Sequence, residues 1–465
     1  MMLLKLLLAL TLNTALLAWL LPWLRRQWRE APRPLRRVLL PALALRLLIG
    51  GLGGLHLRGD AAGMSSVARD FTFSKIWVDL GQALPVFLGT TYVHDDTKVF
   101  NDFSNTFFFI KTMAVLNLAS GGLDWLNGLY LSLFTFVGCW ILARTLARRW
   151  PQAPAGAAAL AFLLWPSVLV WTSGVLKDTL VLGSGAWLLA LVVGYLYKEE
   201  VPAVPVQPPA SAPAASRPAW LRWLGGGAAV LLLAVLHFKM RYFFAVSLLA
   251  GLGGLAAIRG AQRLGLARRR LAQVGLLLGL LVAGAWLAPQ ISHVFRANKF
   301  TSQLLKIYAH NVGTSQGKPH FEYPDLRPTT ESALRHAPLA VWNTLTRPWL
   351  GESRALPYVA AGLDNLALLS LLGLSGWALW RGRGGRLPFA LVLVLGLHCL
   401  LLAFLMGIST PNLGTLHRYR ATMLPYLLLL LLQNDYAAGL LARLGLGNAP
   451  EPGRQPNQGA VPLSN

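Results

Sequence analysis

Long apolar runs separated by short polar breaks govern the whole chain. They recur at 2–24, 38–56, 122–143, 157–173, 179–197, 223–238, 242–258, 271–288, 356–380, 387–408 and 419–433. A hydrocarbon core about 30 Å thick takes roughly 20 helical residues to cross. Inside that core the backbone finds no water, so a run that bonds its own N–H and C=O groups must be helical. The pattern predicts an all-α, polytopic integral membrane protein of about eleven transmembrane helices. Two large loops, 57–121 and 289–355, interrupt the series.

The polar breaks give the helices a direction. Basic clusters fall at Arg25, Arg26, Arg36 and Arg37, at Arg144, Arg148 and Arg149, at Arg259 through Arg270, and at Arg381, Arg383 and Arg386. All four occupy alternate connections, and such clusters stay on the cytoplasmic side. The expectation is a multi-pass protein of the cell's inner (plasma) membrane, with its N-terminus outside, its C-terminus cytoplasmic and both large loops outside. The acidic residues agree. Asp60, Asp70, Asp79, Asp95, Asp96, Asp102 and Asp124 belong in or beside the first loop, and Glu322, Asp325, Glu331 and Glu352 in the second. The run 2–24 has no small-x-small cleavage site ahead of its basic block, so it reads as a retained helix rather than a signal peptide.

Both outer loops carry short amphipathic stretches suited to helices in the membrane interface. The first has Phe71, Phe73, Ile76, Trp77 and the stretch 103–118. The second has 291–308, with Trp342, Trp349 and Tyr358 as anchors at headgroup depth. The Pro/Ala-rich stretch 198–218 reads as a flexible cytoplasmic linker. A transmembrane domain therefore spans 1–447, and a disordered cytoplasmic tail fills 448–465.

Composition narrows the function. Hydrophobic residues make up 55% and charged residues 13% of the 465 positions, against about 25% charged in a soluble chain. The formal charge of +24 would suggest nucleic acid in a soluble protein. Here the basic residues punctuate apolar runs and serve topology and lipid headgroups, so no nucleic-acid partner is expected. Cys139 and Cys399 both sit inside apolar runs, which argues against a disulfide framework or a thiolate metal site. Nucleotide-binding, zinc-protease and serine-hydrolase motifs are absent. The nine histidines form no ligand pair at helical spacing. No cofactor is assigned, and a divalent cation held by carboxylates stays an open candidate.

Five places carry ionisable residues with chemical prospects. Asp60, in Gly59-Asp60-Ala61, reads either as the N-cap of an interfacial helix or as a carboxylate that takes a proton from an incoming hydroxyl. Lys177-Asp178 lies in a short outer turn, as a surface pair, a cap or a functional group at membrane depth. Lys239 and Arg241 share another outer turn, where they snorkel or bind a lipid phosphate. Arg418 and Arg420 open the last crossing from outside, against the charge bias, with planar forks suited to phosphate oxygens or to interfacial anchoring. Glu352 is a further acid–base candidate or a partner for a nearby arginine.

Together these positions resemble the GT-C superfamily of membrane glycosyltransferases, and most closely the bacterial protein-mannosyltransferase and arabinosyltransferase-like members. Three places carry the likeness: Gly59-Asp60-Ala61 followed by Ala68, then Trp171-Thr-Ser173-Gly-Val-Leu-Lys177-Asp178, then Arg418-Tyr419-Arg420…Leu424-Pro425. The resemblance implies transfer of a sugar from a polyprenyl-phosphate-linked donor to a glycan, lipid or protein acceptor. It makes Asp60 and Asp178 the catalytic residues, with Asp60 as the base. Arg418, Arg420, Lys239 and Arg241 would bind the donor phosphate, and Lys177 and Glu352 would be secondary site residues. A surface-polysaccharide polymerase or ligase would lean on Arg and His instead. A lipid or sugar transporter would need charges buried mid-helix, of which Arg46 is the clearest.

Overall fold

The computed structural model describes residues 2–57, 59–89, 91–94, 98–101, 104–198, 219–291 and 296–447. All of the expected linker but Lys198, the tail 448–465, and Asp95, Asp96 and Asp102 lie outside the described residues.

Two long helices open the chain, α1 (Met2–Glu30) and α2 (Arg33–Leu55). The first large loop folds into α3 (Gly59–Asp70), a π-helical turn at Phe71–Ile76, α4 (Leu80–Leu88), a hairpin of β1 (Thr91–His94) and β2 (Lys98–Asn101), and α5 (Asn105–Ser120). The hairpin is antiparallel, with Thr91 opposite Asn101. Then come α6 (Asp124–Arg149), α7 (Ala155–Ala159), a second π-helical turn at Leu160–Leu164, α8 (Pro166–Trp171), α9 (Lys177–Leu196), α10 (Ala219–Met240), α11 (Tyr242–Arg263) and α12 (Arg270–Ile291). The second large loop carries α13 (Ala297–Gly313) and α14 (Thr330–Thr346). The chain continues through α15 (Leu356–Trp380), α16 (Phe389–Ser409), α17 (Leu413–Arg420), α18 (Leu424–Leu431) and α19 (Asp435–Arg443).

Among the described residues, eight helices are long and apolar enough to cross a membrane, or nine if the bent pair α18–α19 counts as one. They are α1, α2, α6, α9, α11, α12, α15 and α16. Three of the eleven apolar runs are not among these eight. The run 157–173 breaks at Trp165-Pro166, because proline lacks the N–H its helix needs and disfavours helical backbone in the residue before it. Trp165 is accordingly extended (φ −63°, ψ 128°). The run 419–433 is interrupted after Arg420, and the chain turns by 101° between α18 and α19. The run 223–238 falls in α10, whose described apolar part, Gly225–Met240, is short for a crossing.

Arg46 completes the broken segment. It is fully buried in the middle of α2. Its guanidinium donates to the Thr172 carbonyl (2.8 Å), the Thr172 hydroxyl (3.2 Å) and the Phe162 carbonyl (3.2 Å). Carbonyls near a break have no helical N–H to accept, and an apolar interior gives them no water. The mid-membrane charge that would have suited a transporter is thus spent on backbone carbonyls. Arg46→Met should destabilise the protein by about 3 kcal/mol, from lost charge-assisted bonds and orphaned acceptors. Equilibrium unfolding in detergent measures this, and an unchanged midpoint would show that the carbonyls find other donors.

The basic clusters meet at one end of the bundle. Glu30 bridges Arg144 (2.9 Å) and Arg148 (3.3 Å). Arg149 donates to the Gly194 carbonyl (2.7 Å), and Arg386 faces Asp435 (3.6 Å). At the opposite end lie the last residues of α2 and the first of α6, α9 and α11. A 20-residue helix separates the ends by about 30 Å. Both large loops gather there. Tyr323 of the second loop donates to the Gly407 carbonyl on α16 (3.1 Å), and burial pushes its phenol up to about 12.

Candidate functional site

The site begins with a sharp turn. After α8, Gly174 takes a left-handed backbone (φ +83°), and a side chain there would crowd the Gly50 carbonyl of α2. Its N–H donates to Ser132 Oγ on α6 (2.8 Å), and Thr179 Oγ1 closes the turn onto the Gly174 carbonyl (3.0 Å). Leu176 is extended, so Lys177 and Asp178 form the first turn of α9. The positive end of a helix favours a carboxylate at that position.

Asp178 is completely buried and clamps two arginines. Its Oδ1 lies 2.8 Å from Arg241 Nη2, and its Oδ2 accepts from Arg418 Nε at 2.9 Å. Arg241 is the single non-helical residue between α10 and α11. Its guanidinium lies over the Tyr419 ring, 4.0 Å from the centroid, and beside Phe244 at 5.1 Å. Arg418 rides on α17, whose first turn is capped by Asn412 accepting from Thr415 N (3.0 Å). The second outer loop braces that cap through Asn412 Nδ2 to Ser315 Oγ (2.9 Å) and a backbone bridge from His320 to Asn412.

These groups form one wall of a cleft of ≈ 690 Å³. Lys177, Arg241, Arg418 and Tyr419 line it on that side. Lys177 Nζ is aimed by neutral oxygens of α5, Thr106 Oγ1 at 2.7 Å and Asn105 Oδ1 at 3.1 Å. The other wall is the first turns of α3, with Asp60, Met64 and Val67. Asp60 is exposed and is the second residue of α3, inside its first turn rather than at its N-cap. Ser65 and Arg69 on α3 both engage Asp124, the first residue of α6, the latter at 3.7 Å. A buried seam from Thr72 to Asn117 to Asn127 (3.3 and 2.8 Å) fixes the same face to α5 and α6. The loop that carries Asp60 is therefore docked on the bundle.

Of the positions singled out from sequence, Asp60, Lys177, Arg241 and Arg418 line the cleft, and Asp178 lies directly behind two of them. Arg420 does not face it. That side chain is fully buried and donates to the carbonyls of Thr344 (3.2 Å) and Arg347 (2.9 Å) and to Asn365 Oδ1 (2.7 Å). It satisfies the C-terminal end of α14, as Arg46 does the broken segment, and it is not among the residues that line the cleft. Glu352 pairs with Arg347 (3.3 Å) and accepts from the Trp349 N–H (3.1 Å), outside the cleft wall. Lys239, near the end of α10, is also not among the lining residues. Tyr419, quoted only within the arginine motif, and the Asn105-Thr106 pair are site residues to which sequence reasoning assigned no role. The available signals were an aromatic between two arginines and a Ser104 cap with two polar residues behind it.

No cluster of three or more His, Cys, Asp or Glu able to hold a metal exists among the described residues. No family model, curated protein or solved structure matches the chain. The described residues do show a multi-pass helical architecture and, at the end away from its basic clusters, a cleft with one exposed carboxylate facing three cations.

Proposed function

We propose that the protein is a membrane glycosyltransferase of GT-C type, moving a sugar from a polyprenyl-phosphate-linked donor to an acceptor on the outer face of the membrane during cell-envelope glycan assembly. The observation that supports this is the cleft itself. Asp60 faces Lys177, Arg241 and Arg418 across ≈ 690 Å³, and these residues come from four separate stretches of the chain. The donor phosphate binds the guanidiniums of Arg241 and Arg418, with Lys177 adding a third positive charge. Asp60 accepts the proton of the acceptor hydroxyl as that oxygen bonds to the anomeric carbon. The bond from that carbon to the phosphate oxygen breaks, and its electron pair leaves with the polyprenyl phosphate. Asp178 is a positioning residue, since it reaches the ligand only through the two arginines.

Binding of a polyprenyl monophosphate to the detergent-purified protein, read by native mass spectrometry, tests this. Arg418→Gln should weaken binding ~10-fold through the lost charge-assisted contact, and Arg241→Gln/Arg418→Gln should weaken it further. Equal binding by the double variant and the wild type would sink the phosphate assignment.

A further inference from the structure

The helix α1 is fastened to the bundle by few contacts. No residue of its most apolar stretch is buried by protein. Its hold is polar. Asn13 accepts from Tyr130 (2.6 Å) and donates to the Ala119 carbonyl (2.9 Å). Gln27 accepts from Trp140 (3.0 Å), and Glu30 meets Arg144 and Arg148. Between these points two recesses open along the helix. The first is apolar, ≈ 320 Å³, between α1 and α6, with Leu12, Leu16 and Trp19 on one side and Leu133 and Val137 on the other. The second is basic, ≈ 450 Å³, lined by Pro22, Arg25, Arg26, Arg29 and Glu30. Leu12, Leu16, Trp19, Arg26 and Glu30 share one stripe at helical spacing, so the apolar recess leads toward the basic one.

Charge decides what fits. Arg26, Arg144 and Arg148 all contact the Glu30 carboxylate, at 2.7, 2.9 and 3.3 Å. Arg25 and Arg29 stand exposed beside them. Three guanidiniums thus meet one carboxylate, and Arg25 and Arg29 line the same recess, at the end of the helix where apolar residues give way to polar ones. Trp19 and Trp23 stack just before that boundary (5.9 Å), as aromatic side chains do at a membrane interface. A ligand with an acidic head and a long apolar tail satisfies both recesses at once, whereas free phosphate satisfies only the second.

We infer that this face of α1 is a binding site for an anionic phospholipid, with its phosphate among Arg25, Arg26 and Arg29 and one acyl chain in the Leu12–Trp19 recess. The lipid fills the seam between α1 and α6 and fastens α1 to the bundle. This site is at the opposite end from the cleft and stands independently of the proposed transferase activity.

The test is native mass spectrometry of the full chain in detergent, titrated with phosphatidylglycerol or with phosphatidylethanolamine of the same chains. Wild type should prefer the anionic lipid ~10-fold or more, as expected for several arginines near one phosphate. R25Q/R26Q/R29Q should lose that preference while unfolding at the wild-type temperature, since all three side chains are exposed. Leu16→Trp, which fills the apolar recess and leaves every charge in place, should also weaken phosphatidylglycerol binding. Excess inorganic phosphate should leave the lipid bound. An undiminished preference in the triple variant, or displacement by inorganic phosphate alone, would overturn the assignment.

Discussion

Asp60→Asn is expected to lower sugar transfer by roughly 10²- to 10⁴-fold, the usual worth of a positioned general base, while polyprenyl-phosphate binding stays at the wild-type level. The separation follows from the cleft. Asp60 is on α3, across the space from the arginines, and the change keeps the side chain's size while removing its ability to hold a proton. Stability should barely change. An exposed carboxylate in a first helical turn contributes only about 0.3–1 kcal/mol through the helix dipole. Asp60→Glu should recover part of the rate, because it restores the acid at a displaced position. Polymerase or ligase chemistry built on arginine and histidine instead predicts full transfer by Asp60→Asn, whereas loss on Arg241→Gln is expected of both reactions. Full transfer in the Asn variant would therefore remove both the base assignment and the main argument for a GT-C-type reaction.

The grouping of Asp60, Lys177, Arg241 and Arg418 was legible from two elementary signals. Apolar run length located the helices, and basic clusters in alternate connections put these four residues on one side. The four basic clusters do meet at one end of the bundle, through Glu30 with Arg144, Arg263 with the Leu196 carbonyl (3.5 Å) and Arg386 with the Gln152 carbonyl (3.3 Å). What sequence could not show was which cation faces the cleft and which faces backbone. Arg418 and Arg420 are two residues apart on one short helix, so they point in directions about 200° apart. One meets Asp178 at the cleft, and the other is buried against the carbonyls of Thr344 and Arg347. Arg46 is a similar case. Its carbonyl partners are freed more than a hundred residues later, Phe162 by Pro166 and Thr172 by the end of α8, and no local pattern reports that. The break also explains why 157–173 has the composition of a crossing but not its geometry. Outer-loop helices were legible as amphipathic stretches, whereas the docking of α3 by Asp124 depends on a tertiary contact between residues far apart in sequence.

Asp178→Asn should destabilise the protein by about 3–5 kcal/mol, the cost of removing one partner from a buried ion pair. Asp178 is fully buried between guanidiniums at 2.8 and 2.9 Å, so the variant leaves two positive charges facing each other without a counter-ion. Arg418→Gln should cost less, because that side chain is 33% exposed and water already reaches it. The double variant Asp178→Asn/Arg418→Gln should regain part of the lost stability by relieving the repulsion. The sign of the ligand effect then separates two roles for Asp178. As a positioning residue it neutralises one of the two arginine charges in the unliganded cleft. Its removal lets a phosphate take over that duty, so polyprenyl phosphate should raise the unfolding temperature of Asp178→Asn by more than it raises that of the wild type. Transfer should fall at the same time, because the arginines no longer hold the donor in register with Asp60. As a catalytic acid or base, the role its sequence context suggested, Asp178 would instead be needed for transfer alone, and the ligand would stabilise both proteins equally. Thermal unfolding with and without polyprenyl phosphate decides between them. An equal shift would return Asp178 to the reacting groups and leave the arginine clamp without a function.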